Sequence, residues 1–182
     1  MLPATGWSYL VYPQKHENML TQSRVGARRK NRKRHHKLIA CLLEHVTHHY
    51  GRDPFLVAAE SGVSVTIDSI DNPLQDAGFP YYSAYRPDAC SIELYSQPLN
   101  QFWGDLFPGC APHLKYQFAC WRELWHFWVH TRFASLKPVL GEKFVPILDA
   151  FGSLSPVQEN YYGQYFAGLA TGVIEKVFCD TR

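Results

Sequence analysis

The chain has 182 residues, 46% hydrophobic and 15% aromatic. That length suits one domain with an appendage, and that composition excludes a disordered chain. The net charge of +2 hides an asymmetry: Arg24, Arg28, Arg29, Lys30, Arg32, Lys33, Arg34 and Lys37 hold eight of the 18 basic residues, leaving 10 basic against 16 acidic residues elsewhere, a net of −6.

Residues 1–23 carry Trp7, Tyr9 and Tyr12 without a sustained period. They read as an arm ordered by a partner, since Trp and Tyr are favoured interface anchors. The same stretch lacks the basic start and apolar middle of a signal peptide. No apolar run reaches the roughly 18 residues that span a bilayer. The expectation is a cytoplasmic protein without a membrane anchor. The five cysteines are odd in number and form no C-x-x-C pair, so they read as buried free thiols.

The basic segment, residues 24–37, contains no acidic residue. Such a block repels itself and stays solvated unless an anion neutralises it. One reading is a solvated linker. The other is a sequence-tolerant nucleic-acid contact through all eight cations, because clustered Lys and Arg neutralise phosphates without reading bases. No helix-turn-helix, zinc finger or RNA-binding motif accompanies it. The chain therefore divides into an N-terminal arm, residues 1–37, and a domain, residues 38–182.

From Leu38, the residues Ile39, Leu42, Leu43 and Val46 recur at helical spacing, and Gly51 supplies a stop. Asp53-Pro54 opens a short helix that ends at Ser61-Gly62. Val63, Val65 and Ile67 alternate with polar residues as a strand. Asn72-Pro73 and Gly78-Phe79-Pro80 are turn signals. Residues 81–85 and 91–95 read as further strands. Residues 97–113, with three prolines and two glycines, read as a loop. Residues 115–136 have no Gly or Pro and are apolar nearly all round, which predicts a buried central helix ended by Lys137-Pro138. Shorter and longer helices follow over 144–151 and 157–178.

On the central helix Glu123, His126 and His130 stand at i, i+3 and i+7 and share a face. A carboxylate and two imidazoles on one stripe suit a divalent metal such as zinc, or form a satisfied polar seam in which Arg122 or Arg132 pairs with Glu123.

The run Phe118-Ala-Cys-Trp-Arg-Glu-Leu-Trp-His-Phe-Trp-Val-His130 resembles F-x-x-A-H-E-L-G-H-x-x-x-H, the motif of ImmA/IrrE-type zinc peptidases. The upstream order is similar too: a helix ending at Tyr50-Gly51, then Ala-Glu-Ser-Gly-Val-Ser-Val (59–65), a Gly-Phe turn (78–79) and Ser-Ile-Glu-Leu (91–94). Downstream, residues 158–169 resemble E-x-x-A-N-x-F-A-x-x-L. The resemblance covers roughly residues 38–175. It implies an α+β, zincin-like fold: a small sheet packed on helices around a Trp-rich helix. It also implies an intracellular role such as regulating a repressor, or one encoded by a phage or mobile element.

The departures from that motif bear on activity. In H-E-x-x-H two histidines hold zinc and the Glu between them activates water. Arg122 stands at the first ligand position, and a guanidinium has no lone pair to give. Glu123 keeps the general-base position and His126 the second ligand position. Trp125 replaces a glycine, where it is expected to crowd the neighbouring sheet. Asn160 aligns with the third ligand, and the adjacent Glu159 is turned about 100° around its helix. The resemblance therefore implies a non-catalytic interaction module without a cofactor, in which Arg122 fills the metal's place, held by Glu123, Glu159 or both, with Glu159 the less strained partner. The alternative is an active zinc endopeptidase cleaving a protein, with His126, His130 and Glu159 as ligands.

Overall fold

Helix α1 (Gln22–Tyr50) carries both the basic segment and the apolar stripe in one 29-residue run. Arg and Lys are good helix formers, and no proline interrupts them. The expected boundary between residues 37 and 38 thus falls inside a helix, and the basic segment is helical. Ile39, Leu42 and Val46 are fully buried and anchor the helix to the body. Gly51, at φ 88°, ends it as anticipated, its N–H donating to the Thr47 carbonyl at 3.0 Å. The computed structural model describes residues 22–68 and 82–174. The aromatic arm, the turn signals over 72–80 and the end of the chain beyond 174 lie outside them.

Asp53 caps α2 (Pro54–Glu60), accepting the Phe55 N–H at 3.0 Å. Strands β1 (Ser64–Asp68), β2 (Ser83–Arg86) and β3 (Ser91–Tyr95) form a mixed sheet in the order β1-β3-β2. β1 runs parallel to β3 with Val65 opposite Ile92, and β2 runs antiparallel with Ser83 opposite Leu94.

The expected loop over 97–113 is largely helix α3 (Ser96–Leu106). Pro98 sits in its first turn, where a missing N–H costs nothing, and Leu99 and Trp103 bury one face.

The central helix, α4 (Leu114–His130), ends six residues earlier than the expected 136. Arg132 and Phe133 take φ of 50° and 57°, which breaks the helix without a glycine. Pro138 does not end it but lies in α5 (Lys137–Leu140). α6 (Val145–Phe151) follows, then α7 (Pro156–Ala170), opened by a Ser155–Gln158 capping box. α7 closes at Thr171-Gly172, with Gly172 at φ 70°, and the expected extension over 175–178 lies outside the described residues.

The fold is α+β. α4 is its centre, packed mainly on α7 and also on β2, β3, α2 and α3. Trp121, Trp125 and Trp128 are fully buried with Phe118, Phe133, Phe151 and Phe166 around them. Among the described residues no helix is long and apolar enough to cross a membrane.

Candidate functional site

The polar centre lies where α4 meets β2 and α7. Arg122 and Glu123 are 6% and 2% exposed, so their charges need partners within the protein. The Arg122 guanidinium donates through Nη1 to the Glu123 carboxylate and to Ser83 Oγ at 3.2 Å. Through Nη2 it donates to Asn160 Oδ1 at 2.8 Å. Ser83 in turn donates to Glu123 Oε1 at 2.6 Å. The guanidinium also stands over the Tyr82 ring, 5.0 Å from its centroid, a favourable cation–π placement. The cation thus joins three elements: its own helix, the sheet and α7.

This differs from the expected arrangement in one respect. Arg122 pairs with Glu123 on its own helix, despite the angle between adjacent residues, and its length lets it reach Asn160 as well. Glu159 belongs to a second pair, with His126 Nδ1 at 2.6 Å from its Oε1. A carboxylate only accepts, so Nδ1 carries the proton. His126 Nε2 is buried without a hydrogen-bond partner.

The zinc alternative needs three protein ligands converging on one point. His126 Nε2 is the single poised donor. Glu159 sits on the other ring nitrogen, where it orients the imidazole rather than facing a metal. Glu123 is neutralised by Arg122. His130 is exposed at the end of α4, its ring 5.9 Å from that of Tyr85. Among the described residues no three His, Cys, Asp or Glu side chains gather as a metal site. As placed among the described residues, His126, His130, Glu123 and Glu159 do not fit a catalytic zinc.

Trp125 also departs from expectation. Its indole packs toward α6 and α7, against Phe151 and Phe166 at ring distances of 5.2 and 5.7 Å. A Cβ on Gly163 would come within 3.1 Å of its Cδ1. Gly163 is thus the hollow that receives the indole. Nearby Cys120 is fully buried, and burial, followed by the Glu123 and Asp53 charges, pushes its thiol well above the ordinary range.

Sequence reading missed Ser83, Tyr82 and Gly163. Ser83 was hidden because a serine in a strand carries no signal until the strand's facing element is known. It also missed a seam between α1 and α7. There His35 Nδ1 lies 2.8 Å from the Tyr162 hydroxyl and His36 Nε2 3.0 Å from that of Tyr161. The His36 ring stacks on Tyr165 at 4.0 Å and 15°. Arg32 donates to the Tyr161 hydroxyl through Nε at 2.9 Å and through Nη2. Both imidazoles are held below their usual value, chiefly by burial and next by the Arg34 charge at His35 and the Arg32 charge at His36. Of the basic segment, Arg32, Lys33, Arg34 and Lys37 are exposed on α1. Residues 24, 28, 29 and 30 lie in the same helix.

The chain matches no protein-family model, no curated protein and no solved structure.

Proposed function

We propose that this protein is a non-catalytic interaction module on a zincin-like, ImmA/IrrE-like scaffold. The observation that carries the proposal is the Arg122 network. A permanent cation, bonded to Glu123, Ser83 and Asn160, meets the electrostatic need that a metal would meet in an H-E-x-x-H enzyme. A base tied to a guanidinium is also a poor activator of water. The partners are a protein, reached through the aromatic arm, and nucleic acid, bound without sequence preference through the basic segment of α1. The setting is cytoplasmic, in keeping with the free thiols Cys41, Cys90, Cys110 and Cys120.

A cleavage assay tests the proposal. Unfolded protein substrates are incubated with the full chain and added zinc. No chelator-sensitive cleavage is expected. Cleavage that a chelator stops and Glu123→Gln removes would overturn the proposal in favour of a zinc endopeptidase.

A further inference from the structure

The seam with α7 divides α1 into two faces. Successive residues turn about 100° around a helix. Arg32, His35, His36, Ile39 and Leu42 fall on the side that meets the body, where the first three engage Tyr161, Tyr162 and Tyr165. Lys33, Arg34 and Lys37 fall on the opposite side and are exposed. Position 30 falls on the same stripe one turn earlier, so Lys30, Lys33, Arg34 and Lys37 follow the i, i+3, i+4, i+7 pattern of a single face. The sole acid of α1, Glu44, comes seven residues after Lys37.

We propose that this outer face docks on double-helical DNA and grips its backbone without reading bases. The proposal rests on the nucleic-acid contact proposed above and names its surface and its ligand. Charge complementarity carries it. The stripe spans ~10 Å of helix, a length over which duplex DNA carries roughly six phosphate charges. An α-helix fits the major groove of B-form DNA, whereas the deep, narrow groove of A-form RNA excludes it. The rest of the chain, at a net −6 without the eight clustered cations, is repelled by the same phosphates and leaves α1 as the approach. Arg32 has a different task. Its two donors and its cation–π contact, 4.7 Å above the Tyr161 ring, hold the helix to the body.

The test is fluorescence anisotropy on the full chain with a mixed-sequence DNA duplex, a duplex RNA, a single-stranded DNA and poly-glutamate. Two variants carry the same loss of charge. One replaces Lys33, Arg34 and Lys37 with Gln; the other replaces Arg24, Arg28 and Arg29 with Gln and leaves the Arg32 anchor in place. Far-ultraviolet dichroism confirms that each remains folded. Three phosphate contacts account for a salt slope of about −2.7, or roughly 40-fold weaker binding between 50 and 200 mM salt. The outer variant is expected to lose that share of the slope, and the second variant to retain more of it. Equal losses in both variants would overturn the assignment of the face while leaving a nucleic-acid contact standing. Binding of duplex RNA, single strand or poly-glutamate as tight as that of duplex DNA would overturn the ligand. Failure of the parent to bind any nucleic acid would overturn the nucleic-acid contact itself.

Discussion

Replacing Arg122 with Ala removes the cation from a pair whose side chains are 8% and 3% exposed. Breaking a buried pair from one side costs about 3–5 kcal/mol, because the remaining charge stays buried. Ser83 Oγ still donates to Glu123, and Asn160 loses a donor but carries no charge. The cost therefore falls at the lower end, ~3 kcal/mol. For a domain of this size each kcal/mol lowers Tm by about 2–4 °C. Scanning calorimetry of Arg122→Ala is thus expected to show Tm lower by roughly 6–12 °C. The double variant Arg122→Met, Glu123→Leu removes both charges and fills the space with apolar atoms, which is often near neutral. It is expected to melt much closer to the parent than the single variant does. A single variant within about 1 °C of the parent would refute the reasoning, since so small a shift corresponds to under ~0.5 kcal/mol.

The His35 and His36 imidazoles have folded pKa values below 6.5, so the unfolded chain binds their protons more readily. Their contribution to stability is complete above about pH 6.5 and is lost as pH falls through the lower folded values. Urea midpoints between pH 7 and about 5 should therefore fall more in the parent than in His35→Gln, His36→Gln, and parallel slopes would exclude the seam as the cause. Gly163→Ala gains ~1 kcal/mol of helix propensity but drives a Cβ to 3.1 Å from a Trp125 that is fully buried. With overpacking at ~1–3 kcal/mol, a net loss of about 1 kcal/mol is expected in a denaturant titration, and a stabilised variant would show that the indole can move. Cys120, with its thiolate disfavoured by burial, should resist iodoacetamide in the folded chain and react in urea. Mass spectrometry reads this, and rapid native labelling at that residue would contradict its placement.

Those elements whose signals are local were legible. Asp53-Pro54 marked a cap and first turn, Gly51 a stop, and the alternation at 63–67 a strand, each because one or two residues suffice to set the backbone. The buried character of α4 was legible because eleven of its residues, Phe118–Trp128, are buried, which leaves no polar face to misplace. Its end was not, since the left-handed turn at Arg132-Phe133 uses residues that disfavour that conformation and is held by packing, Phe133 being fully buried. α3 was hidden by weighting Pro98 and Gly104 as breakers over the apolar pair Leu99 and Trp103. The reach of α1 was hidden because the tyrosines that hold Arg32, His35 and His36 lie more than 120 residues away. At the polar centre the sequence named Arg122, Glu123, His126, Glu159 and Asn160 but not their pairing. Pairing depends on the rotation of α7 against α4, which Gly163 and Trp125 set through shape rather than through any pattern in the chain.

The central claim of the proposed reading is that the Arg122 guanidinium, and not a metal ion, balances the buried Glu123 carboxylate. Elemental analysis of the full chain, purified without chelators or a metal-binding tag and dialysed against trace zinc, tests it most directly. The account predicts zinc far below one equivalent per chain, unchanged in His126→Ala. One equivalent of zinc in the parent that disappears in His126→Ala would contradict it.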